Sequence, residues 1–268
     1  MIKLVMSDMD GTLLDEKGKL PSGFDDMVSQ LRARGILFAP CSGRQYFSLL
    51  DSFDKYRDEF LFLAENGTMV MYQGRELFSS SMDRELTHQV LAAAGQQPAI
   101  YRIFCGKRDA YVLEAEHDAL IQAELDKYYT HSETVDDFVH IEDEPIKAAF
   151  FDPTGNAEKT IYPLLAPFRD RLQVVLSSDY WVDVMNADIN KGVAVQQVQQ
   201  YLQIRPEECA AFGDYLNDVE MLEAVDYSFA MENAHPTIKK LARYSTDSNA
   251  EAGVLRGIQR LMDKGLCG

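Results

Sequence analysis

Two acidic side chains near the amino terminus, Asp8 and Asp10, are separated by one residue in the sequence DMDGT. They follow residues 2–7, a nearly continuous apolar run that is typical of a strand covered on both faces. In open α/β sheets, ligands bind at the carboxyl ends of such strands. The pair alone indicates little, because Asp-Gly is also a common turn.

Three further polar clusters occur later in the chain. CSGR (41–44) follows the apolar run 36–40, and GDYLND (213–218) follows the run 209–213. In NKG, Lys191 begins a predicted helix and faces the positive end of the helix dipole, which costs about 0.3–1 kcal/mol unless an anion lies nearby. Each cluster alone has an ordinary explanation as a turn, a helix cap or a solvated lysine. Together they predict one shared site.

The acids Asp8, Asp10 and Asp214 offer hard oxygen ligands, which suit a partly hydrated cation and above all Mg²⁺. An EF-hand calcium loop does not fit, because its sixth and twelfth positions counted from Asp8 are Leu13 and Lys19. The histidines show no zinc-ligand spacing. The sequence therefore predicts a magnesium site.

A cation of this kind next to Lys191, together with the hydroxyl and backbone amides at Ser42-Gly43, predicts a pocket for a dianionic phosphoryl group. The chain contains no G-x-x-x-x-G-K, G-x-G-x-x-G or G-x-S-x-G sequence. Nucleotide-loop, dinucleotide and serine-hydrolase functions therefore lose support.

The elements that must position these groups follow from periodicity. Apolar runs predict buried strands, with 60–64 as a third strand of a parallel sheet. Helical spacing predicts helices at 22–35, 45–56, 83–94, 117–128, 155–167, 191–202, 216–224 and 251–264. The first of these helices is predicted to begin with a capping box formed by Ser22 and Asp25.

The order of these elements predicts a Rossmann-like α/β fold with a parallel sheet, interrupted by an inserted α+β domain. We expect the core domain to comprise residues 1–82 and 187–268, and the insertion to comprise residues 83–186.

Composition limits the partners. The 268 residues are 46% hydrophobic, as in a globular protein, and carry a net charge of −17. That charge repels nucleic acids and anionic membranes. No apolar stretch reaches the roughly 18 residues of a membrane helix, and neither a signal peptide nor a disulfide framework is evident. We expect a cytoplasmic protein that acts on a small molecule; its oligomeric state stays open.

The four motifs, in this order, resemble those of the haloacid dehalogenase superfamily. The match extends to the Cof-type phosphatases with a large α/β cap, which the stretches ENG (65–67), ENA and EAGV also resemble. Glu232 departs from the usual glycine before Asn233. The matching positions are Asp8, Asp10, Gly11 and Thr12, then Ser42, Gly43 and Arg44, then Lys191 and Gly192, and finally Gly213, Asp214, Asn217 and Asp218.

The resemblance implies that Asp8 attacks phosphorus to form an aspartyl-phosphate and that Asp10 acts as general acid and base. It implies that the cap selects the leaving group. The implied Mg²⁺ ligands are Asp8, the backbone carbonyl of Asp10, Asp214 and Asp218, the last directly or through water. The implied phosphoryl-binding groups are the amides of Met9 and Gly43 and the side chains of Ser42, Lys191 and Asn217.

These observations predict a Mg²⁺-dependent phosphatase for small phosphorylated metabolites, with sugar phosphates as the first choice. A phosphomutase of similar architecture is one alternative. A non-enzymatic phosphate-binding regulatory module is another, and Asp10 argues against it, because such a module must preserve its acyl phosphate. The sequence does not identify the physiological substrate.

Overall fold

The computed structural model describes residues 1–95, 97 and 99–268. Within this range the chain forms two compact units. The first contains Met1–Ser42, Lys55–Phe78 and Asn190–Gly268, and the second contains Gly43–Asp54 and Ser79–Ile189. The second unit therefore includes the whole predicted insertion, 83–186, together with a short segment from the amino-terminal part of the chain.

The strands are β1 (Leu4–Ser7), β2 (Leu37–Pro40), β3 (Leu61–Ala64), β4 (Met69–Tyr72), β5 (Arg75–Ser79), β6 (Tyr101–Gly106), β7 (Ala110–Leu113), β8 (Ser132–Val135), β9 (Pro145–Phe151), β10 (Leu172–Leu176), β11 (Trp181–Asn186), β12 (Cys209–Gly213), β13 (Tyr227–Ala230) and β14 (Tyr244–Ser245). The helices are α1 (Phe24–Ala33), α2 (Tyr46–Ser52), α3 (Arg84–Ala94), α4 (Ala119–Tyr128), α5 (Ala157–Thr160), α6 (Lys191–Leu202), α7 (Val219–Glu223), α8 (Pro236–Leu241) and α9 (Gly253–Asp263). Of the helices in the described part of the chain, none is both long enough and apolar enough to cross a membrane.

The first unit is built on a parallel sheet in the order β14-β13-β12-β1-β2. β1 lies between β12 and β2, and its four residues are completely buried or nearly so. This burial on both faces explains its continuous apolar sequence. The predicted fold class, a parallel α/β core with an inserted α+β segment, is confirmed.

The hairpin formed by β3, β4 and β5 differs from the prediction. β3 forms a parallel bridge to the end of β2 through Cys41 and Leu63, but its ladder is antiparallel to β4. The turn between β4 and β5 has positive φ at Gln73 and Gly74, as a tight hairpin requires. The predicted extension of the parallel sheet through residues 60–64 was therefore only partly correct. The segment is a strand and has a parallel bridge to the chain after β2, but the strand with which it forms a ladder is the antiparallel β4.

The helix α1 buries Phe24, Met27, Val28 and Leu31, as its periodicity predicts. Its predicted capping box was wrong. The N-cap is Gly23, with φ of 89°, and glycine has no side chain that could cap the helix. Asp25 instead accepts a 2.7 Å hydrogen bond from Lys55 and another from the Tyr56 hydroxyl.

The second unit contains an antiparallel sheet in the order β10-β11-β9-β6-β7-β8, to which β8 is added in parallel. One face packs against α3, with Val90 and Leu91 buried against Phe104 and Phe150. The other face packs against α4 through Ile121 and Leu125. The unit therefore has apolar cores on both faces of its sheet.

The helix predicted at 155–167 was too long. The structure has α5 over Ala157–Thr160, followed by turns and a short 3₁₀ segment at Ala166–Phe168. Pro163 provides the reason, because proline lacks an amide donor and disfavours the helical conformation of the residue before it.

A buried polar cluster crosses the sheet of the second unit. The ammonium of Lys147 on β9 donates to the Gly43 carbonyl at 2.8 Å and lies 3.6 Å from Asp183 Oδ1 on β11. Asp183 also accepts a 2.6 Å hydrogen bond from Ser177. Both charged side chains are almost fully buried. Removing one charge therefore leaves the other in a desolvated place.

We expect Lys147→Met to lower the free energy of unfolding of the second unit by about 3–5 kcal/mol, because the Asp183 carboxylate loses its ammonium partner while staying buried. The double variant Lys147→Met/Asp183→Leu should lose less than the single variant. Urea unfolding followed by the fluorescence of Trp181, the one tryptophan of the sequence, measures this. A double variant that is less stable than Lys147→Met contradicts the prediction.

Candidate active site

The strand register brings the first, second and fourth motifs to one edge of the parallel sheet. Ser7, the last residue of β1, is paired with Pro40 of β2 and Phe212 of β12. The residues that follow these three strands therefore emerge side by side. Asp8 leads this group, and its backbone amide donates to the Phe212 carbonyl at 3.0 Å.

The DMDGT segment forms a wide turn directly after β1. The amide of Leu13 donates to the Asp8 carbonyl at 3.2 Å, and the amide of Leu14 donates to the Met9 carbonyl at 2.9 Å. Gly11 has φ of 79°, a backbone conformation that residues other than glycine rarely adopt. The turn holds Asp8 buried at its start and leaves Asp10 partly exposed.

Asp214 lies against this turn from the loop after β12. The Thr12 hydroxyl donates to Asp214 Oδ1 at 2.6 Å. A Cβ atom on Gly11 would lie 2.9 Å from the Asp214 Cγ, so the glycine is also required for the close approach of the carboxylate. The Asp214 carbonyl accepts a 2.8 Å hydrogen bond from the amide of His235. The first and fourth motifs are thus held in direct contact.

Lys191 is the first residue of α6, as predicted, and is fully buried. Its ammonium lies 2.6 Å from Asp8 Oδ1 and 2.6 Å from Asp218 Oδ1. The helix is capped by the Asn190 side chain, which accepts from the Val193 amide at 3.0 Å. The unfavourable position of a lysine at a helix start is therefore offset by two carboxylates.

Asp218 has protein donors on both carboxylate oxygens. Oδ1 accepts from Lys191, and Oδ2 accepts from the amides of Asp214 at 2.9 Å and Tyr215 at 3.3 Å. A Cβ on Gly213 would lie 2.7 Å from the Asp218 Cβ, so the loop closes this tightly only with glycine. The carboxylate therefore fixes both the lysine and the backbone that carries Asp214.

The cluster carries more negative than positive charge. Burial raises the pKa of Asp8 well above its ordinary value, the Lys191 ammonium opposes this, and the charges of Asp218 and Asp214 add to it. Burial, followed by the charge of Asp218, raises the pKa of Asp214 to about 7. Burial by itself lowers the pKa of Lys191, but Asp218 and Asp8 outweigh it, so the net shift is upward. The lysine is therefore firmly charged, and one ammonium faces three carboxylates.

These carboxylates fit a divalent cation. Asp8, Asp214 and Asp218 each present an oxygen within 4.8 Å of the others. All the potential ligand atoms are hard carboxylate oxygens, which is the ligand type that Mg²⁺ prefers. A cation among them favours their charged forms and thus offsets the effect of burial. The residues present therefore fit the magnesium site that the sequence predicts.

The remaining predicted phosphoryl-binding residues have different locations. Ser42 and Asn217 are buried in the first unit. The Asn217 amide nitrogen donates to the side-chain oxygen of Asn66 at 3.0 Å. Gly43 begins the second unit, and its carbonyl is bound by Lys147.

The structure also gives the surroundings of Arg44 and Glu232. Arg44 donates to the Lys127 carbonyl at 3.1 Å and stacks 5.1 Å from the Tyr128 ring centroid, so in this structure it packs within the second unit. Glu232 is exposed.

Three supporting side chains were not assigned a role from the sequence. Thr12 contacts Asp214, and Asn66 contacts Asn217. Asn233 donates to the Gly11 carbonyl at 2.7 Å. Thr12 lies in DMDGT, Asn66 in ENG and Asn233 in ENA, all of which the sequence singles out, so a signal existed. Their partners are 151 to 222 positions away, and no local pattern identifies them.

A parallel α/β sheet with an acid pair, a buried lysine and a further acid at its carboxyl edge is suited to binding a cation and a phosphoryl group. Residues 5–258 match the family model of the haloacid dehalogenase-like hydrolases. The chain belongs to this family, and the resemblance of the four motifs is confirmed.

Known proteins support this assignment. The chain is 33% identical over 267 residues to the 5-amino-6-(5-phospho-D-ribitylamino)uracil phosphatase YbjI of Escherichia coli (strain K12), covering 97% of this chain and 96% of that protein. It is 26% identical to the phosphatase YwpJ of Bacillus subtilis (strain 168), covering 97% of this chain and 100% of that protein. Together with the family match, these relatives show that the chain is a phosphatase of this family.

Solved structures agree with the fold. SMU.1108c from Streptococcus mutans UA159 superimposes with a TM-score of 0.89 at 26% identity, covering 98% of this chain and 100% of that one. A subclass IIB sugar phosphatase, BT4131, superimposes with a TM-score of 0.84 at 20% identity, covering 97% and 99% of the two chains. At that identity the second likeness speaks for the fold alone.

The charge imbalance of the cluster gives a prediction. Asp214→Asn keeps the acceptor for Thr12 but removes one of three crowded negative charges. In EDTA at about pH 8, above the raised pKa of Asp214, we expect this variant to unfold at a higher temperature than the wild type, because repulsion within the cluster is relieved. Mg²⁺ at about 100 times its Kd should stabilise the wild type by about 3 kcal/mol and the variant hardly at all.

Thermal unfolding in EDTA and in MgCl₂ measures both effects. Asp226→Asn is a matched control, because Asp226 pairs with Arg243 on the surface of the same unit. It should change neither quantity appreciably. Stabilisation of Asp214→Asn by Mg²⁺ to the same extent as the wild type would contradict the role of Asp214 as a ligand.

Proposed function

We propose that the protein is a Mg²⁺-dependent phosphatase of small phosphorylated metabolites, sugar phosphates first, that works through an aspartyl-phosphate on Asp8. The observation that carries the proposal is the position of the Asp8 carboxylate. It is buried at a strand end, with the Lys191 ammonium 2.6 Å from one oxygen and the carboxylate of Asp214 nearby. A carboxylate so fixed has little freedom to lose when it attacks.

In the first step, an oxygen of Asp8 attacks phosphorus and the bond from phosphorus to the leaving-group oxygen breaks. The developing alkoxide takes a proton from Asp10, which is partly exposed and carried by the same turn. In the second step, Asp10 takes a proton from water, the water oxygen attacks phosphorus, and the bond to Asp8 breaks. Inorganic phosphate is released and both aspartates return to their starting states.

A bound Mg²⁺ supplies charge neutralisation and orientation of phosphoryl oxygens. The residues that would hold it are Asp8, the backbone carbonyl of Asp10 and Asp214, with Asp218 acting through water because both its oxygens already accept from protein donors. Lys191 has a related electrostatic role. Its ammonium keeps Asp8 oriented and offers positive charge to the incoming phosphoryl group.

The other phosphoryl-binding groups are proposed from the motifs. They are the side chains of Ser42 and Asn217 and the backbone amides of Met9 and Gly43. Preformed donors of this kind stabilise the charge that spreads over the phosphoryl oxygens during transfer. We assign catalysis to the core residues 1–82 and 187–268, and choice of the leaving group to the insertion 83–186. We also propose a cytoplasmic location, on the sequence reasoning given above.

The substrate class rests on the resemblance and on the names of relatives. The Escherichia coli relative is named for a phosphate carried on a ribityl chain, which is a sugar alcohol. Another relative is named as an HMP-PP phosphatase. Because the chain is a phosphatase, the regulatory-module hypothesis is dropped. A phosphomutase reaction is distinguished by experiment.

We expect Asp8→Asn to lower kcat for hydrolysis of p-nitrophenyl phosphate by more than about 10³-fold, because the amide cannot form the phosphoenzyme. The wild type should require Mg²⁺ and should release inorganic phosphate without a bisphosphate activator. The variant should remain folded by circular dichroism. Activity of Asp8→Asn close to that of the wild type would disprove the nucleophile assignment, and a strict bisphosphate requirement would favour a phosphomutase.

A panel of phosphate esters tests the substrate class. We expect a phosphorylated sugar or sugar alcohol to have the highest kcat/KM, at least about tenfold above nucleoside monophosphates, because leaving-group contacts add transition-state stabilisation. Release of inorganic phosphate is the measurement. A nucleotide as the best substrate would contradict the sugar-phosphate proposal and leave the phosphatase reaction standing.

A further inference from the structure

The turn Glu65–Gly67, directly after β3, has an unusual backbone. Three consecutive residues have positive φ, with 53° at Glu65, 55° at Asn66 and 95° at Gly67. Non-glycine residues in this region are strained by about 1–3 kcal/mol each, and such strain persists only where the surroundings enforce it. All three residues are buried. The turn is therefore held in place by specific contacts.

These contacts join the turn to the phosphoryl-binding motifs of the first unit. The amide of Asn66 donates to the Ser42 carbonyl at 2.9 Å. A Cβ on Gly67 would lie 2.7 Å from the Asn190 carbonyl carbon and 3.1 Å from the Lys191 Cα, so the start of α6 packs directly on this glycine. The side-chain oxygen of Asn66 accepts from Asn217 at 3.0 Å. One turn thus contacts the second, third and fourth motifs.

The contact with Asn217 has a direction. A side-chain amide has one acceptor oxygen and one nitrogen with two donor hydrogens. Because the Asn66 oxygen accepts one of these hydrogens, the nitrogen of Asn217 is held towards Asn66 and its second hydrogen stays available. An Asn217 side chain rotated by half a turn would place its oxygen against the Asn66 oxygen, which is repulsive.

We infer that Asn66 is a positioning residue that orients the Asn217 amide for donation to a phosphoryl oxygen. The left-handed backbone at residues 65–67 is required to bring the Asn66 side chain to Asn217 while its own amide holds Ser42. This inference rests on the proposed function, in which Asn217 binds the phosphoryl group. It assigns to Asn66 no contact with the substrate.

The variant Asn66→Gly separates positioning from stability. Glycine adopts φ of 55° without strain and keeps the amide that donates to Ser42, which offsets part of the stability lost with the buried side chain. It removes the oxygen that accepts from Asn217. We expect the inhibition constant of inorganic phosphate and the KM of a phosphate ester each to rise about tenfold, the effect typical of one lost hydrogen bond.

Gln203→Gly is the matched control. Gln203 has φ of 54°, is exposed and ends α6 in the same unit. Replacing it by glycine relieves similar backbone strain without touching the motifs. We expect its melting temperature to equal or exceed that of the wild type, and its kinetic constants to equal those of the wild type.

A double-mutant cycle with Asn217→Ala decides whether Asn66 acts through Asn217. If it does, Asn66→Gly/Asn217→Ala should bind inorganic phosphate as weakly as Asn217→Ala alone, within about twofold. Additive losses of phosphate affinity in the double variant, or unchanged phosphate binding in Asn66→Gly, overturn the inference. The proposed function then still stands if the wild type hydrolyses phosphate esters. A wild type that hydrolyses no phosphate ester overturns the proposed function, and calorimetric binding of inorganic phosphate by the same four proteins then decides the inference. No binding by the wild type overturns both.

Discussion

The contact of one buried ammonium with two buried carboxylates is the interaction on which the site depends. Lys191 reaches both Asp8 and Asp218 from the first turn of α6, out of contact with solvent. Such an arrangement loses the hydration of three charges and is tolerated only when the geometry is close and the remaining oxygens are hydrogen-bonded. The register of β1 with its neighbours and two glycines meet these conditions. The backbone at the start of α6 packs on Gly67, and the Asp218 side chain packs on Gly213.

An excess of negative charge follows from this geometry. One lysine cannot neutralise Asp8, Asp214 and Asp218. Burial raises the pKa of Asp214 first, and the charge of Asp218 adds to that rise. The same imbalance makes the edge of the sheet suited to a divalent cation and, with the cation, to a phosphoryl group. Electrostatic preorganisation is therefore built from the fold itself, since the carboxylates are placed by strand ends and tight turns rather than by flexible loops.

The strained turn at residues 65–67 shows how the surroundings of the site are fixed. Its hydrogen bonds reach Ser42 and Asn217, and its glycine lies against the start of α6. Three motifs that are far apart in the sequence thus contact the same short segment. A left-handed backbone is unfavourable locally, and the contacts that it permits provide the compensation.

The sequence by itself determined the element types with strong periodicity and the residues with unusual chemistry. The limits of α6 match those predicted, and the parallel sheet follows from apolar runs such as that before Asp8. Local patterns failed where a distant partner decides the outcome. The contact of Lys191 with Asp8 and the bond from Asn217 to Asn66 are examples. The short α5 and the glycine cap of α1 are local features that periodicity alone did not reveal. Periodicity and turn chemistry act over a few residues, whereas only tertiary structure decides which groups separated by 150 or more positions share one desolvated space, and thereby which charges are balanced.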